Sequence, residues 1–374
     1  SIMKRHLFRA LPVILVVALV ALVGTVLLSG CSVETAAAES LTTASATAPS
    51  SERLGVSPAE SVATSAGPSV VNVRVTGTAA SPFFGDQPYE GVGAGVIYSS
   101  DGYIVTNAHV VTQNGRLADT VEVTLSTGET VPARIVATDT FTDIAVIRVD
   151  KTGLTPAIFA TEDTPGIGEY AIAIGSPLDY SNSVTLGIVS GLGRSIENSG
   201  SMSLVDLIQT DAAISPGNSG GALLDSEGRV IGINVAYIPP STSGAENIGF
   251  AIPAATAVKV ADELIANGRA SHAYLGIGYV SVTSALQQQY SLSRGTGVLV
   301  TDVDPQGPAG TAGLKQGDII TDLHGKAMTS ETDMILALRD LEAGDEVPVT
   351  VDRNGQTVDL TITVGERSAS TSTT

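Results

Sequence analysis

The sequence predicts a mainly β fold on a chain that holds more than one domain. Its body consists of many short runs of valine, isoleucine and threonine, separated by glycine, aspartate, asparagine and serine. Such a pattern is typical of strands joined by turns. The chain has 374 residues, which is long for one ordinary domain, and it contains 40 glycines and no tryptophan. These observations favour all-β architecture over a doubly wound α/β sheet.

Residues 1–31 are predicted to be a targeting segment outside the fold. Lys4, Arg5 and Arg9 precede an uncharged apolar run over 10–30, which indicates an export signal or a membrane anchor. The run ends at Cys31, the only cysteine. This ending resembles a bacterial lipoprotein signal, so we expect lipidation of Cys31, with an uncleaved transmembrane anchor as the alternative. Both interpretations place the rest of the chain on the extracytoplasmic side of a membrane.

Composition defines a tether and excludes one class of partner. Residues 32–56 are rich in alanine, threonine and serine, and such a flexible segment reaches on the order of 25–30 Å. We also expect a disordered tail over 367–374. The formal net charge of −19 argues against nucleic-acid binding, which needs a basic surface. We attribute the acidity to solubility.

The first folded domain is predicted to span 57–270. Ser57 is a helix N-cap, Pro58 suits the first helical position, and Glu60 would complete a capping box. Strands are predicted to begin at 70–73 and to include 121–125, 172–174 and 230–233, which suits two antiparallel barrels. A helix from Pro253 to about Asn267 closes the domain, because glycine follows at 268.

A serine between glycines, in Gly217-Asn218-Ser219-Gly220-Gly221, is the candidate nucleophile. Glycine permits a tight turn that exposes a hydroxyl and aims nearby N–H groups at one point, as acyl transfer requires. The alternative is a glycine-rich hairpin turn with an incidental serine.

A histidine base and an acid that orients it are available elsewhere. Of the four histidines, His6 lies in the basic N-terminus, His272 follows a helix, and His324 lies in a separate downstream domain. This leaves His109, at the end of a predicted strand. Asp143 opens an apolar run and would be rigidly held at the mouth of a buried strand. Asp139 is the alternative acid, and Asp143 could be only a turn residue.

The chain order His109, Asp143, Ser219 is that of chymotrypsin-like proteases. The segments 106–110 (TNAHV), 143–146 (DIAV), 217–221 (GNSGG) and 247–253 (NIGFAIP) together resemble the HtrA/Deg family of serine proteases. The resemblance covers about 60–365 and implies a chymotrypsin-like double antiparallel β-barrel with a His-Asp-Ser triad. It also implies an oxyanion hole formed by the N–H groups of Gly217 and Ser219. We assign no metal and no cofactor.

Substrate specificity is predicted from the residues around the nucleophile. Ala213 stands six residues before Ser219, where trypsin-like enzymes place an acid, and Ile214 follows it. We therefore expect a pocket for small or medium aliphatic side chains. The substrate backbone is expected to pair with Asn234, Val235, Ala236 and Tyr237. Tyr237 would shorten the pocket, unless its side chain turns away.

The second domain is predicted to span 271–366 and resembles a bacterial PDZ domain. The resemblance rests on Tyr274-Leu275-Gly276-Ile277 and on the run AGLKQGDII over 312–320. It implies that the loop Tyr274–Ile277 binds a peptide C-terminus through backbone N–H groups. The alternative is a small αβ domain that only packs on the protease. We assign no chemical role to His324.

Three functions remain open from the sequence. The first is an endopeptidase of the cell envelope that degrades unfolded exported proteins. The second is a regulatory protease that cuts one partner when its PDZ domain binds a C-terminus, and the third is a non-proteolytic binding or chaperone protein. The resemblance further implies a homotrimer, in which Phe83 and Phe84 would serve an interface or cover a barrel end.

Overall fold

A computed structural model describes residues 57–81, 85–175, 183–196, 204–237 and 247–367, without the side chains of 80, 81, 85, 86, 236 and 237. The predictions for 1–31 with Cys31, for the tether over 32–56, for Phe83 and Phe84, and for the tail beyond Arg367 lie outside the described residues. Among the helices that are described, none is long and apolar enough to cross a membrane.

The fold opens with helix α1, Pro58–Ala66, which begins where the sequence predicts. The Glu60 N–H donates to Ser57 Oγ at 3.1 Å, which satisfies one of the free N–H groups of the first turn. The other half of the predicted capping box, from the Ser57 N–H to the Glu60 carboxylate, is not among the hydrogen bonds of the described residues. Val62 and Ala66 anchor the helix in the core.

The first barrel is a closed antiparallel sheet of six strands in the order β1-β2-β3-β8-β7-β6. A one-turn helix α2, Ala108–Val111, follows β3, and the short hairpin β4–β5 lies outside the barrel. The strands are β1 Val70–Ser81, β2 Gly85–Ile97, β3 Tyr103–Asn107, β4 Thr112–Gln113, β5 Arg116–Leu117, β6 Thr120–Thr124, β7 Thr130–Asp139 and β8 Ile144–Val149.

The second barrel is also closed and antiparallel, in the order β10-β11-β14-β13-β12-β9. Helix α3, Ala254–Asn267, follows it and ends at Gly268, whose φ of 71° is the left-handed conformation typical of a C-terminal glycine. Its strands are β9 Tyr170–Gly175, β10 Ser183–Ile196, β11 Leu204–Thr210, β12 Ala222–Leu224, β13 Val230–Tyr237 and β14 Gly249–Pro253. The predicted mainly β, double-barrel fold is confirmed.

Strand β8 shows how the barrels join. Ala145, Ile147 and Val149 point into the first barrel, whereas Ile144 and Val146 belong to a separate apolar cluster between the barrels. Residues of β9, β13 and α3 complete that cluster. Because residues 144–147 are buried on both faces, this part of β8 is a continuous apolar run rather than an alternating one, up to Arg148.

The third unit has its own core and a sheet in the order β16-β17-β18-β20-β21, with β19 beside β18 and β15 paired with β22. The buried Asp318 carboxylate accepts two hydrogen bonds from Arg353, at 2.8 and 2.7 Å. The elements are β15 Ala273–Tyr274, β16 Ile277–Ser281, α4 Ser284–Tyr290, β17 Val298–Val303, α5 Pro308–Thr311, β18 Ile319–Leu323, β19 Lys326–Ala327, α6 Glu331–Arg339, β20 Glu346–Arg353, β21 Gln356–Thr363 and β22 Gly365–Glu366.

Candidate active site

His109 and Asp143 are held together by two hydrogen bonds. His109 Nδ1 lies 2.7 Å from Asp143 Oδ2, and the His109 N–H donates to Asp143 Oδ1 at 2.9 Å. The Asp143 side chain is only 8% exposed, while that of His109 is 47% exposed. A shielded acid thus orients an imidazole whose outer face is open to a reactant, as a general base requires.

The Asp143 backbone is also constrained. Its φ is +58°, in the left-handed region that costs an L-residue about 1–2 kcal/mol. Its carbonyl accepts hydrogen bonds from the Ala108 N–H and from Asn107 Nδ2, both at 3.0 Å. Asp143 lies between β7 and β8. The two hydrogen bonds to its carbonyl fix its position relative to the end of β3 and the start of α2.

Asp139, the alternative acid, contacts a different histidine. His272 Nε2 lies 2.9 Å from Asp139 Oδ1, and the Thr142 N–H donates to Asp139 Oδ2 at 3.2 Å. Burial alone would raise the pKa of Asp139, but the hydrogen bonds from His272, Thr142 and the Phe141 N–H outweigh it and lower that pKa. Asp139 thus braces the turn that carries Asp143 and links it to the start of the third unit.

Two consecutive turns present Ser219. The Asn218 N–H donates to the Ser215 carbonyl, and the Gly221 N–H donates to the Asn218 carbonyl, both at 2.9 Å. The third residues of these turns are Gly217, with φ +97°, and Gly220, with φ +82°. Positive φ at this position of a turn favours glycine. The glycine spacing around Ser219 therefore has a direct backbone cause.

The Ser219 turn fits against the first barrel. The Ala94 N–H donates to the Ser219 carbonyl at 2.8 Å, and the Gly220 N–H donates to the Asn234 carbonyl at 2.8 Å. A Cβ on Gly220 would overlap the Ala94 carbonyl and the Thr106 hydroxyl. Since Thr106 is only three residues from His109, the structure brings the Ser219 turn beside the His109–Asp143 pair.

The Ser219 hydroxyl donates to the Val235 carbonyl at 3.2 Å. In the part of the chain that the structure describes, no hydrogen bond joins Ser219 Oγ to His109. Within the same residues, the N–H groups of Gly217 and Ser219 donate to no protein acceptor.

The predicted specificity residues occupy different environments. Ala213 is exposed and its carbonyl accepts from Thr185 Oγ1 at 3.0 Å, whereas Ile214 is buried in the core of the second barrel. Strand β13 is paired with β12 only as far as Ile233, and its pairing with β14 is interrupted by a bulge at Val235. The side chains of Ala236 and Tyr237 lie outside the described residues, so the orientation of Tyr237 stays a prediction.

The predicted peptide-binding loop joins β15 to β16. Gly276 has φ +77°, and Leu275 is buried in the core of the third unit. Their N–H groups donate to no acceptor among the described residues, although the carbonyls of both accept backbone hydrogen bonds. The loop therefore offers two adjacent N–H donors, as capture of a carboxylate requires.

Sequence reasoning overlooked three residues that build the site, namely Ala94, Thr106 and Asn107. The two glycines that flank Ala94 are a signal of close backbone approach. Thr106 and Asn107 lie within the segment 106–110, but their hydrogen-bond partners are known only from the tertiary structure.

Comparison with known proteins gives two domain matches. A model of the trypsin-like peptidase domain matches residues 93–233, and a model of the PDZ domain matches residues 273–364. Both lie within the predicted ranges 57–270 and 271–366, whose ends stay predictions.

Curated relatives match along most of the chain. The putative serine protease HhoB of Synechocystis is 40% identical over 315 residues, which cover 77% of this chain and 74% of that protein. The periplasmic pH-dependent serine endoprotease DegQ of Escherichia coli is 37% identical over 81% of this chain and 69% of its own length. A probable periplasmic DegP-like serine endoprotease of Chlamydia trachomatis is 41% identical, but the chain spans only 53% of it.

Solved structures agree with these relatives. The HtrA-type protease AlgW with a decapeptide superposes with a TM-score of 0.71 at 33% identity, covering 84% of this chain and 100% of that one. A serine endoprotease from Yersinia pestis gives a TM-score of 0.64 at 34% identity, with 84% and 100% coverage. The chain therefore belongs to the HtrA/Deg family of serine proteases, with a trypsin-like peptidase domain followed by one PDZ domain.

Proposed function

We propose that this chain is a serine endopeptidase in which Ser219 is the nucleophile, His109 the general base and Asp143 the acid that orients it. The observation that carries the proposal is the His109–Asp143 pair, with Nδ1 and Oδ2 2.7 Å apart, beside a turn that presents Ser219. The bond at Nδ1 leaves Nε2 free to take a proton.

In the proposed reaction, Ser219 Oγ attacks a peptide carbonyl while His109 Nε2 removes its proton. The tetrahedral oxyanion accepts hydrogen bonds from the N–H groups of Gly217 and Ser219, which have no protein acceptor among the described residues. His109 then donates the proton to the leaving amine, and water repeats the sequence on the acyl-enzyme. Loss of one oxyanion donor typically lowers the rate by about 10²–10³.

Substrate binding has a defined part in this scheme. The edge of β13 beyond Asn234 has no strand partner on the side opposite β14 within the described residues, so an extended substrate adds there as a strand. A substrate N–H that donates to the Val235 carbonyl would compete with the Ser219 hydroxyl, which now occupies it. The displaced hydroxyl is then free to turn toward His109.

The proposed cleavage specificity is for small or medium aliphatic side chains. Ala213 supports this assignment, because it places no charge six residues before Ser219. A cleavage profile on a denatured protein, read by mass spectrometry, tests the proposal. Cuts mainly after lysine or arginine would contradict it.

The proposed setting is the cell envelope, with unfolded exported proteins as substrates. Two relatives carry the word periplasmic in their names, and the basic and apolar N-terminus supports export and attachment to a membrane. The proposed ligands of the PDZ domain are peptide C-termini, bound at the loop Tyr274–Ile277. We also propose lipidation at Cys31.

A regulatory protease is the second candidate, and contacts between the domains favour it. The His272 ring is hydrogen-bonded to Asp139 and packs against the Phe141 ring, with centroids 4.7 Å apart and planes inclined by 31°. The Arg367 guanidinium lies 4.7 Å from the centroid of the same Phe141 ring. Arg367 also lies 5.8 Å from the ring of Tyr274, in the predicted peptide loop. A peptide bound at that loop is thus close to residues that touch the turn carrying Asp143.

We further propose a homotrimer. Exposed apolar side chains follow one face of the β9–β10 hairpin, where Tyr170 and Ile188 are directly opposite and Leu186 lies two residues on. Ile167, just before β9, is also exposed. A contiguous apolar strip of this kind supports an interface with other copies of the chain. That the oligomer has three copies is inferred from the family resemblance.

The decisive experiment measures casein degradation and fluorophosphonate labelling of the full chain, with Ser219→Ala as the matched variant. We expect the wild type to be labelled and to degrade casein, either alone or once a C-terminal peptide is added, and the variant to do neither. Casein degradation by Ser219→Ala, or a folded wild type that is unlabelled both with and without the peptide, would contradict the proposed role of Ser219. Adding a C-terminal peptide then separates the two candidates, since degradation without peptide supports quality control and strict dependence on it supports regulation.

A further inference from the structure

Asn107 is buried beside the proposed catalytic pair, and its side chain does not form the hydrogen bond that asparagine usually forms at a helix N-terminus. It is the N-cap of α2, where the side-chain oxygen normally accepts from an N–H of the first turn. The Ser57 and Ser330 side chains do so at their helices, whereas Asn107 makes no such bond. Its Oδ1 is buried and accepts no hydrogen bond from the described residues.

The first turn of α2 is instead capped by Asp143. The His109 N–H, in the position that an N-cap side chain serves, donates to Asp143 Oδ1 at 2.9 Å. Asn107 Nδ2 in return donates to the Asp143 carbonyl at 3.0 Å. The two residues thus exchange roles, since Asp143 caps the helix that carries His109 while Asn107 holds the Asp143 peptide.

The orientation of the Asn107 amide follows from this contact. A carbonyl only accepts hydrogen bonds, so the NH₂ group must face Asp143, and the amide oxygen is left facing a site without a donor. An unsatisfied buried acceptor lowers stability. The contact that this amide does make is the hydrogen bond from Nδ2 to the Asp143 carbonyl.

The Asp143 peptide needs such a restraint because its φ is +58°. The residue lies where the turn after β7 enters β8, and its carbonyl has two donors, the Ala108 N–H and Asn107 Nδ2. A rotation of this peptide would swing the carboxylate that orients His109. Asn107 itself is fixed by its pairing with Ile144 in the β3–β8 ladder.

We propose that Asn107 is a positioning residue for the reaction, which holds the Asp143 peptide and through it the orientation of His109. This inference rests on the proposed function. Asn107→Ala removes the donor and the unsatisfied acceptor together, so the melting temperature should change little. We expect kcat to fall about ten- to a hundredfold, since a displacement near 1 Å typically costs about a hundredfold. KM should stay within about twofold because Asn107 lies behind the triad.

The test uses the full chain, with active sites counted by fluorophosphonate titration so that misfolded molecules do not enter kcat. Asn107→Ser is the second variant, because serine caps helices well and its side chain lacks the amide. Thr112→Val is the matched control: Thr112 Oγ1 donates to the Ala108 carbonyl at 2.8 Å, at the other end of the same helix, and this variant should keep the wild-type kcat. Both Asn107 variants should lose kcat at unchanged KM.

Two outcomes would overturn the inference. One is a kcat per titrated site within twofold of wild type in either Asn107 variant, and the other is an equal loss in Thr112→Val. If Asn107→Ala fails to fold, Asn107→Ser decides alone. Failure of the proposed function is a separate result, because it would appear as casein cleavage by Ser219→Ala before any Asn107 variant is measured.

Discussion

Gly175→Ala tests the packing behind Ser219, the proposed nucleophile. Gly175 is the last residue of β9, and a Cβ there would lie 2.7 Å from Asn218 Cα and 2.6 Å from Asn218 Oδ1. Ordinary contacts begin at 3.4 Å, so the Asn218 backbone must move by about 0.7 Å. The backbone of Gly175 is not in the left-handed region, and the added methyl therefore acts only through this contact.

The magnitude follows from that displacement. Overpacking a buried site costs about 1–3 kcal/mol, which lowers the melting temperature by about 2–4 °C per kcal/mol in a domain of this size. Because Ser219 follows Asn218 directly, a shift of about 0.7 Å should reduce kcat by about ten- to thirtyfold, on the scale of a hundredfold per 1 Å.

The assay is the second-order rate of fluorophosphonate labelling on the full chain, followed beside thermal unfolding. Gly191→Ala is the matched control, because the new Cβ meets the guanidinium end of Arg194 at 2.8 Å, and that flexible side chain can move aside. We expect slow labelling in Gly175→Ala and near-wild-type labelling in Gly191→Ala. If Gly175→Ala is labelled at the wild-type rate although its melting temperature is lower, the reasoning is refuted.

Three further predictions concern other parts of the molecule. Because the pKa of Asp139 is lowered, its carboxylate stabilises the fold at pH values above the ordinary pKa of 3.8, and this stability is lost as the pH falls through the lowered pKa. The melting temperatures of Asp139→Asn and wild type should therefore differ at pH 7 and converge in acid. A difference in melting temperature that does not change with pH would contradict this. Arg353→Met leaves the buried Asp318 carboxylate unpaired and should cost the PDZ domain about 3–5 kcal/mol in urea unfolding, while labelling of Ser219 is unchanged. Tyr170→Glu should shift sedimentation from trimer to monomer, and a wild-type monomer would end the trimer proposal.

The candidate site was largely predictable because each member has a local signature. Positive φ at 217 and 220 favours glycine, and this glycine spacing marks the Ser219 turn in the sequence. His109 stands out because histidines are few, and Asp143 because it precedes a strand buried on both faces. Asn107 and Asp139 were not predictable in their roles, since their partners lie 36 and 133 residues away.

By itself, the sequence determined the mainly β class, the start of α1, the end of α3 and the identity of the residues proposed for catalysis. These follow from patterns within a few residues, such as caps, glycine turns and apolar runs. Only the tertiary structure decided which acid meets which histidine, which carbonyl holds the Ser219 hydroxyl at rest, and that Asp143 caps the helix of His109. Such pairings depend on closure of the first barrel, which brings β2, β3 and β8 together, and on packing of the second barrel against it, which adds β13. No local pattern encodes the register of strands so distant in the chain.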